Sequence, residues 1–138
     1  MKSKIILGLL GLSVLLLGNP PSTHRGYALA AQPPVYSWDA PKLYDGSLYG
    51  KEVKVELTVV DSKNTGKACF LNASENWKKD FTAVIFQSDY YKFPNNPEKY
   101  YYGKKLRVKG TLKEYQGKPE IILKSPAQIE IIKTTNNY

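Results

Sequence analysis

Histidine, cysteine and methionine are almost absent from this chain of 138 residues. It has one of each, and the single histidine, His24, lies in the N-terminal segment. Everything after residue 30 therefore lacks an imidazole group. This excludes a zinc site rich in His or Cys, a Ser-His-Asp triad and a Cys-His dyad. We expect a protein that is not an enzyme and that has no resident metal or cofactor.

Cys69 is the only cysteine, so no disulfide can form within the chain. Small exported domains often depend on disulfides, whereas this domain must be held together by its hydrophobic core alone. A domain of roughly 85 residues can just achieve this. We expect Cys69 itself to be a buried, small apolar residue.

The N-terminus has the pattern of a signal peptide. Lys2 and Lys4 precede an uncharged apolar run, residues 5–17, which is shorter than the ~20 residues that a membrane-spanning helix needs. Ala28-Leu29-Ala30 then offers a small-x-small cleavage site. We predict cleavage after residue 30 and an exported protein, periplasmic or secreted, that is a monomer with no membrane span. An uncleaved anchor is the alternative, because residues 19–27 lengthen the segment before the cleavage site.

Residues 31–138 carry 17 basic and 12 acidic residues, a net charge of +5. This charge permits binding to nucleic acid, and it equally suits an anionic polymer of the cell envelope. Residues 31–49 are rich in Pro and Tyr, and we interpret them as a lead-in segment lying on the domain. Residues 133–138 are a polar tail.

Strand patterns begin at Gly50. Apolar residues alternate with polar ones over residues 51–61, which places Val53, Val55, Leu57 and Val59 on one buried face. Residues 62–66 have the composition of a turn. Further strands are predicted over residues 67–72, 81–87, 105–114 and 119–124, and residues 129–132 complete the edge. One or two short helices are predicted within residues 88–103.

This order predicts an all-β fold over residues 50–132: a five-stranded OB-fold barrel with a short helical insert between strands three and four. Gly110 falls on the inward set of the fourth strand, where a barrel strand often needs glycine to bend. Tyr115-Gln-Gly-Lys118 is typical of a tight hairpin. Other small barrels also have five strands, so the number of strands alone does not exclude them.

Five stretches of the sequence resemble OB-fold nucleic-acid-binding domains, namely residues 50–61, 66–72, 80–86, 103–110 and 115–123. The similarity is to the anticodon-binding domains of aspartyl-type tRNA synthetases and to small stand-alone bacterial relatives. It implies that Phe70, on strand two, faces outward and stacks on a base, and that Lys63 is a basic residue of the first loop. Asn72-Ala73-Ser74 replaces the Arg-Asp pair of that family, which argues against sequence-specific recognition of tRNA.

Single-stranded nucleic acid is bound by aromatic faces on which bases stack and by a cationic groove for the phosphates. The loops and strands that an OB-fold uses for binding contain both kinds of residue. Phe70 and Trp77 are the candidates for stacking, and Tyr115 lies in the last hairpin. The candidate nucleic-acid-binding set is Lys63, Lys67, Phe70, Trp77, Lys78, Lys79, Tyr115 and Lys118. Phe70 as a core residue at the barrel end and Trp77 folded back as a lid are the structural alternatives.

The sequence therefore predicts an exported protein that binds single-stranded or irregular nucleic acid with little sequence specificity. The alternative is an envelope module that binds protein or glycan. The tyrosines at positions 90, 91, 100, 101 and 102 are expected to cover the open end of the barrel, with a sugar-binding platform as the other interpretation. A nuclease is disfavoured, because the acidic residues are scattered and one arginine, Arg107, remains after residue 30.

Overall fold

The computed structural model describes residues 30–135, and the elements below all belong to the unit Pro33–Tyr138. The predicted signal peptide lies outside the described residues except for Ala30. One short α-helix, α1 (Pro97–Tyr100), and three short 3-10 helices (Pro41–Leu43, Gln87–Lys92, Pro126–Gln128) accompany the strands. The strands are β1 Val35–Ser37, β2 Glu52–Thr58, β3 Asp61–Asn64, β4 Ala68–Asn72, β5 Thr82–Phe86, β6 Lys105–Tyr115, β7 Lys118–Ile122 and β8 Ile129–Ile131.

The strands β2 and β3 are two halves of one bent strand, and the bend closes the barrel. The Val59 amide donates to the Lys104 carbonyl at 3.0 Å, and the Gly103 amide donates to the Val59 carbonyl at 2.8 Å. The next amide, that of Val60, donates to the Asn72 carbonyl at 3.1 Å. β2 therefore pairs with β6, while β3 pairs with β4.

The remaining pairings complete a ring in the order β2/β3, β4, β5, β7, β6. The pairing of β5 with β7 is parallel, and the other four pairings of the ring are antiparallel. The helical insert, residues 87–100, lies between the third and fourth strands of this ring, as predicted.

The turn predicted for residues 62–66 is wrong. Asp61–Asn64 forms β3, and the turn occupies residues 65–67. Ser62 and Asn64 favour turns by their intrinsic preference, but pairing with β4 in the β3–β4 hairpin decides their conformation. A run of polar residues gives no local sign of where the strand ends and the turn begins.

The core lies inside the ring and follows the predicted alternation. Val53, Val55 and Val59 are completely buried and Leu57 is 2% exposed. Burying each such side chain contributes about 1.5–3 kcal/mol of hydrophobic stabilisation. The other completely buried apolar side chains are Leu43, Cys69, Leu71, Phe81, Ala83, Ile85, Leu106, Val108, Leu112, Ile121 and Leu123.

Gly110 is required by close packing. A Cβ atom at this position would lie 2.6 Å from Ile121 Cγ2 and 3.3 Å from Gln128 Nε2. Beyond it, β6 exchanges partners, because it pairs with β2 as far as Thr111 and with β7 from Leu112 onward. The predicted special role of glycine in this strand is thus explained by the approach of the Ile121 side chain.

The lead-in segment is built into the same unit. β1 pairs in parallel with β2, and Leu43 and Leu48 are buried in the core. In the insert and the two residues that follow it, Phe93 and Tyr101 join the core, while Tyr91, Tyr100 and Tyr102 are exposed. Of the five tyrosines expected to cover the barrel end, Tyr101 is the one that is buried.

Candidate functional site

One outward face of the barrel carries most of the candidate residues. It is formed by β3, β4, β5, β7 and the C-terminal half of β6. The register places Lys63, Phe70 and Val84 side by side on adjacent strands, with Ile122 beyond them. The neighbouring row consists of Asp61, Asn72, Thr82, Glu120 and Lys113. Phe70 is half-buried on this face, outside the barrel core.

A cleft of about 300 Å³ opens on this face, which we call the β4–β7 cleft. This volume is at the lower end of the range for small-molecule sites. Five of the eight residues expected from the sequence line it: Lys63, Phe70, Trp77, Tyr115 and Lys118. The loop of residues 73–81 contributes Trp77, and the last hairpin contributes Tyr115.

The walls of the cleft include three aromatic side chains. Phe70 rises from β4, Trp77 is 47% exposed, and Tyr115 is 53% exposed. The Lys78 ammonium lies 5.6 Å from the centroid of a Trp77 ring, within the range of a cation–π contact. Exposed aromatic faces of this kind can accept a planar ligand without rearrangement of the core.

Lys118 is not an exposed cation, in contrast to its expected role in a phosphate groove. It is 7% exposed, and its Nζ donates to the Trp77 carbonyl at 2.6 Å and to Thr82 Oγ1 at 2.7 Å. Burial lowers the pKa of this ammonium, and the nearby Glu120 and Asp80 carboxylates oppose the shift. Lys118 therefore fastens the Trp77 loop to the barrel wall.

Hydrogen bonds continue from Lys118 across the face. Thr82 Oγ1 donates to Asn72 Oδ1 at 2.8 Å, and Asn72 Nδ2 donates to Asp61 Oδ2 at 2.9 Å. The chain of bonds thus links β7, β5, β4 and β3. Because a satisfied polar network rigidifies its surroundings, the floor of the cleft is a fixed surface.

Glu120 is a member of the cleft that the sequence did not single out. It is 8% exposed, and within the described residues no hydrogen bond involves its carboxylate. Burial raises its pKa, while the Lys118 and Lys113 ammonium groups partly counteract the shift. The alternation of β7 could have placed it outward, but its burial on that face could not be read from the sequence.

The other three expected residues, Lys67, Lys78 and Lys79, lie outside the cleft. Each is exposed, Lys67 in the turn between β3 and β4 and the other two in the loop that follows Trp77. With Lys63, they are exposed lysines on the segments that border the cleft, and we call these four the rim lysines. Within the lining of the cleft, the negative charges of Asp61 and Glu120 offset the positive charges of Lys63 and Lys118.

A larger groove of about 520 Å³ lies elsewhere, beside Gly110. Lys109, Lys113 and Lys124 line it, and Lys109 is 3.4 Å from the Glu52 carboxylate. Gln128 forms its wall by donating to the carbonyls of Lys109 and Ile122 at 2.9 and 3.2 Å. No aromatic side chain lines this groove, so the smaller cleft is the better candidate for binding a base.

Catalytic groups are sparse in residues 30–135. Within this range, no group of three or more His, Cys, Asp or Glu residues is placed to hold a metal ion. Burial raises the pKa of the Cys69 thiol to about 12. No helix in the described part of the chain is long and apolar enough to cross a membrane.

The ring order, the parallel contact of β5 with β7 and the insert after the third strand together decide the architecture. The barrel is an OB-fold. It resembles the anticodon-binding domains of aspartyl-type tRNA synthetases, which confirms the resemblance expected from the sequence. No family model and no curated protein sequence matches this chain.

The similar solved structures are distant in sequence. A structure described as an aspartyl-tRNA synthetase from Leishmania major Friedlin has a TM-score of 0.52 and 12% identity, over 81% of this chain and 23% of that one. An OBody, AM1L10, bound to hen egg-white lysozyme has a TM-score of 0.48 and 18% identity, over 76% and 100% of the two chains. Asparaginyl-tRNA synthetase from Pyrococcus horikoshii has a TM-score of 0.44 and 18% identity, over 66% and 22%.

This chain therefore spans less than a quarter of the length of these two synthetases. At such low identity the similarity establishes the fold alone.

Proposed function

We propose that this OB-fold is an exported, non-catalytic protein that binds single-stranded or irregular nucleic acid with little sequence specificity. The observation that carries the proposal is the β4–β7 cleft, where Phe70, Trp77 and Tyr115 border one small cavity on the outward face. Three aromatic groups around a cavity of this size suit a planar, unstacked base.

Stacking supplies the affinity in this proposal. A base that stacks on an aromatic side chain gains about 1–3 kcal/mol, and every base has a π-face, so the interaction tolerates any sequence. Phe70 lies on a rigid strand and Trp77 on a loop that Lys118 fastens. The hydrogen bonds that join Lys118, Thr82, Asn72 and Asp61 hold the floor of the cleft rigid, so little reorganisation is needed on binding.

Phosphates are held at the rim in this proposal. Lys63, Lys67, Lys78 and Lys79 are exposed around the cleft, so they can follow a backbone that enters and leaves it. Lys118 takes a different role from the phosphate contact expected from the sequence, because two of its N–H groups already bind protein acceptors. Its contribution is to position Trp77.

The absence of histidine after residue 30 and the burial of Cys69 support a binding protein over an enzyme. Nucleophilic catalysis by cysteine requires an accessible thiolate. The pKa of about 12 makes that form rare at neutral pH.

A second candidate, a module that binds a protein or a glycan, is favoured by one feature. The two carboxylates and two lysines within the cleft balance in charge, and such a lining does not by itself select an anion. In this alternative the aromatic walls would contact an uncharged group, and the rim lysines would remain solvated.

Fluorescence titration of labelled oligonucleotides separates the two functions. Nucleic-acid binding should weaken as salt rises from about 50 to 200 mM, with a log–log slope of about −0.7 for each phosphate contacted. Phe70→Ala should weaken binding by about 1–3 kcal/mol. The control is Tyr102→Ala, which removes an exposed aromatic group beside the junction of β2 and β3. An absence of binding at low salt would refute the nucleic-acid function.

A further inference from the structure

Phe86 is an exposed aromatic residue next to the cleft, and neither the core nor the cleft accounts for it. It is 44% exposed at the end of β5, whereas the other four residues of that strand are buried. It is absent from the lining of the β4–β7 cleft. A single exposed phenylalanine is ordinary by itself. Its position relative to Phe70 is the feature that suggests a function.

The strand register places both phenylalanines on the same outward face. Phe70 lies opposite Val84, and Ala68 lies opposite Phe86, so Phe70 and Phe86 are diagonal neighbours on adjacent antiparallel strands. Diagonal neighbours are about 7–8 Å apart, within reach of aromatic side chains. Val84 belongs to the same face and is 2% exposed. The two rings therefore lie on one apolar strip of Phe70, Val84 and Phe86, which begins in the cleft and extends beyond it.

A lysine lies beyond the end of each strand that neighbours Phe86. The Gln87 amide donates to the Lys67 carbonyl at 2.9 Å, which brings the turn between β3 and β4 alongside Phe86. On the other side, the Leu123 amide donates to the Val84 carbonyl at 2.7 Å, and the exposed Lys124 follows. Lys67, which does not line the cleft, thereby acquires a neighbouring aromatic group.

We propose that Phe86 is a second stacking platform, so that this face holds two consecutive bases of a single strand. One base occupies the cleft against Phe70, the next stacks on Phe86, and Lys67 and Lys124 contact the adjoining phosphates. The inference rests on the proposed nucleic-acid function and extends it to a site of two nucleotides.

The spacing of the platforms determines the form of the ligand. A separation of about 7–8 Å exceeds the 3.4 Å rise per nucleotide of a stacked strand, so the two bases cannot remain stacked on each other. Each base instead stacks on its own ring, as in proteins that bind splayed single strands. A duplex, whose bases stay stacked, does not fit this arrangement.

Ligand length tests the proposal. Thymidine monophosphate, the dinucleotide and the hexanucleotide of thymidine would be titrated at low salt against the full-length protein and its Phe86→Ala variant. We expect Phe86→Ala to bind the dinucleotide and the hexanucleotide about 5- to 150-fold more weakly, which corresponds to one stacked base. It should bind the mononucleotide as the unaltered protein does. Phe70→Ala should weaken binding of all three ligands.

Two further variants show whether the ring itself acts. Phe86→Tyr keeps an aromatic face and should retain affinity, whereas Phe86→Leu keeps apolar volume without the ring and should lose affinity as the alanine variant does. Tyr102→Ala again serves as the matched control. Circular dichroism checks that each variant folds. Because Phe86 is exposed, we expect its substitutions to leave the core intact.

The possible failures are distinguishable. If the unaltered protein binds none of the three ligands, the proposed function itself is refuted. If it binds them and Phe70→Ala weakens binding, while Phe86→Ala matches the unaltered protein at every length, the second platform is refuted. Full affinity in Phe86→Leu would likewise refute stacking at this position.

Discussion

Glu120 is a buried carboxyl group on the outward face of the barrel, where it is 8% exposed. Desolvation raises its pKa above the ordinary value of 4.5. Lys118 and Lys113 lie close enough to oppose this shift, and Asp61 lines the same cleft. The direction of the shift shows that burial outweighs the two cations. The charged form of Glu120 is therefore costly to the folded state.

The pH dependence of stability follows from this direction. A group whose pKa is higher in the folded than in the unfolded state contributes stability below its unfolded pKa and loses it as pH rises through the folded value. For Glu120, the loss begins near pH 4.5 and continues upward. Glu120→Gln cannot ionise. We therefore predict that the free energy of unfolding of the unaltered protein, relative to this variant, falls as pH rises through that window.

Urea unfolding of both proteins at intervals from about pH 4 to pH 8 measures this difference. The control is Glu75→Gln in the nearby loop, whose exposed side chain meets solvent in the folded and unfolded states alike. A difference between the unaltered protein and Glu120→Gln that stays constant, or grows with pH, would contradict the assigned burial of the carboxyl group.

At the scale of elements, the hairpin between β6 and β7 contains an avoidable strain. Its two central residues, Gln116 and Gly117, have φ angles of 51° and 79°. Two-residue hairpins with positive φ at both positions favour Asn-Gly, because asparagine tolerates the left-handed region and most other side chains do not. Glutamine bears this conformation at a cost.

We predict that Gln116→Asn stabilises the protein by up to about 1 kcal/mol, which is part of the about 1–2 kcal/mol that a left-handed residue costs. Thermal or urea unfolding measures the change. Gln116→Ala, which lacks the asparagine side chain and keeps the strain, is the matched control and should give no gain. If the alanine variant is as stable as the asparagine variant, relief of strain in the turn is not the reason.

The elements with clear local signals were predictable from the sequence. The alternation of β2, the glycine of the last hairpin and the prolines of the insert act over a few residues, and the fold follows them. β3 was not predictable, because its four polar residues lack the alternation of a half-buried strand, although they pair with β4 in a hairpin. A polar strand beside a turn leaves its boundary unmarked in local composition.

The candidate site shows the same limit. Phe70, Trp77 and Tyr115 were identified by residue type and by their position on OB-fold elements, and the structure brings all three to one cleft. The buried position of Lys118 was not foreseeable, because it depends on the Trp77 carbonyl, a backbone group of a loop far away in the chain. Phe86 could not be identified from the sequence, because only the register between β4 and β5 places it beside Phe70.

At the scale of the whole molecule, barrel closure makes stability a shared property of all strands. The described barrel contains no disulfide, and its five-membered ring of strands encloses one core. Cys69 is completely buried on β4 within that core. Exposing its thiol requires β4 to separate from its neighbours, so its reactivity reports on the opening of the ring.

We predict that Cys69 reacts with a thiol reagent only through global unfolding. Burial excludes the reagent, and the rise in pKa from 9.0 to about 12 reduces the thiolate of the folded state. That difference of three pKa units corresponds to about a thousandfold less thiolate. The ratio of labelling rates in folded and urea-unfolded protein should therefore give the same free energy of unfolding as urea titration.

Leu112→Ala, which opens a cavity in the same core, should accelerate labelling by the factor that its equilibrium destabilisation dictates. Cys69→Ser should take up no label. Labelling of the unaltered protein that is much faster than the unfolding equilibrium allows would mean that β4 opens locally and that the ring is not one cooperative unit.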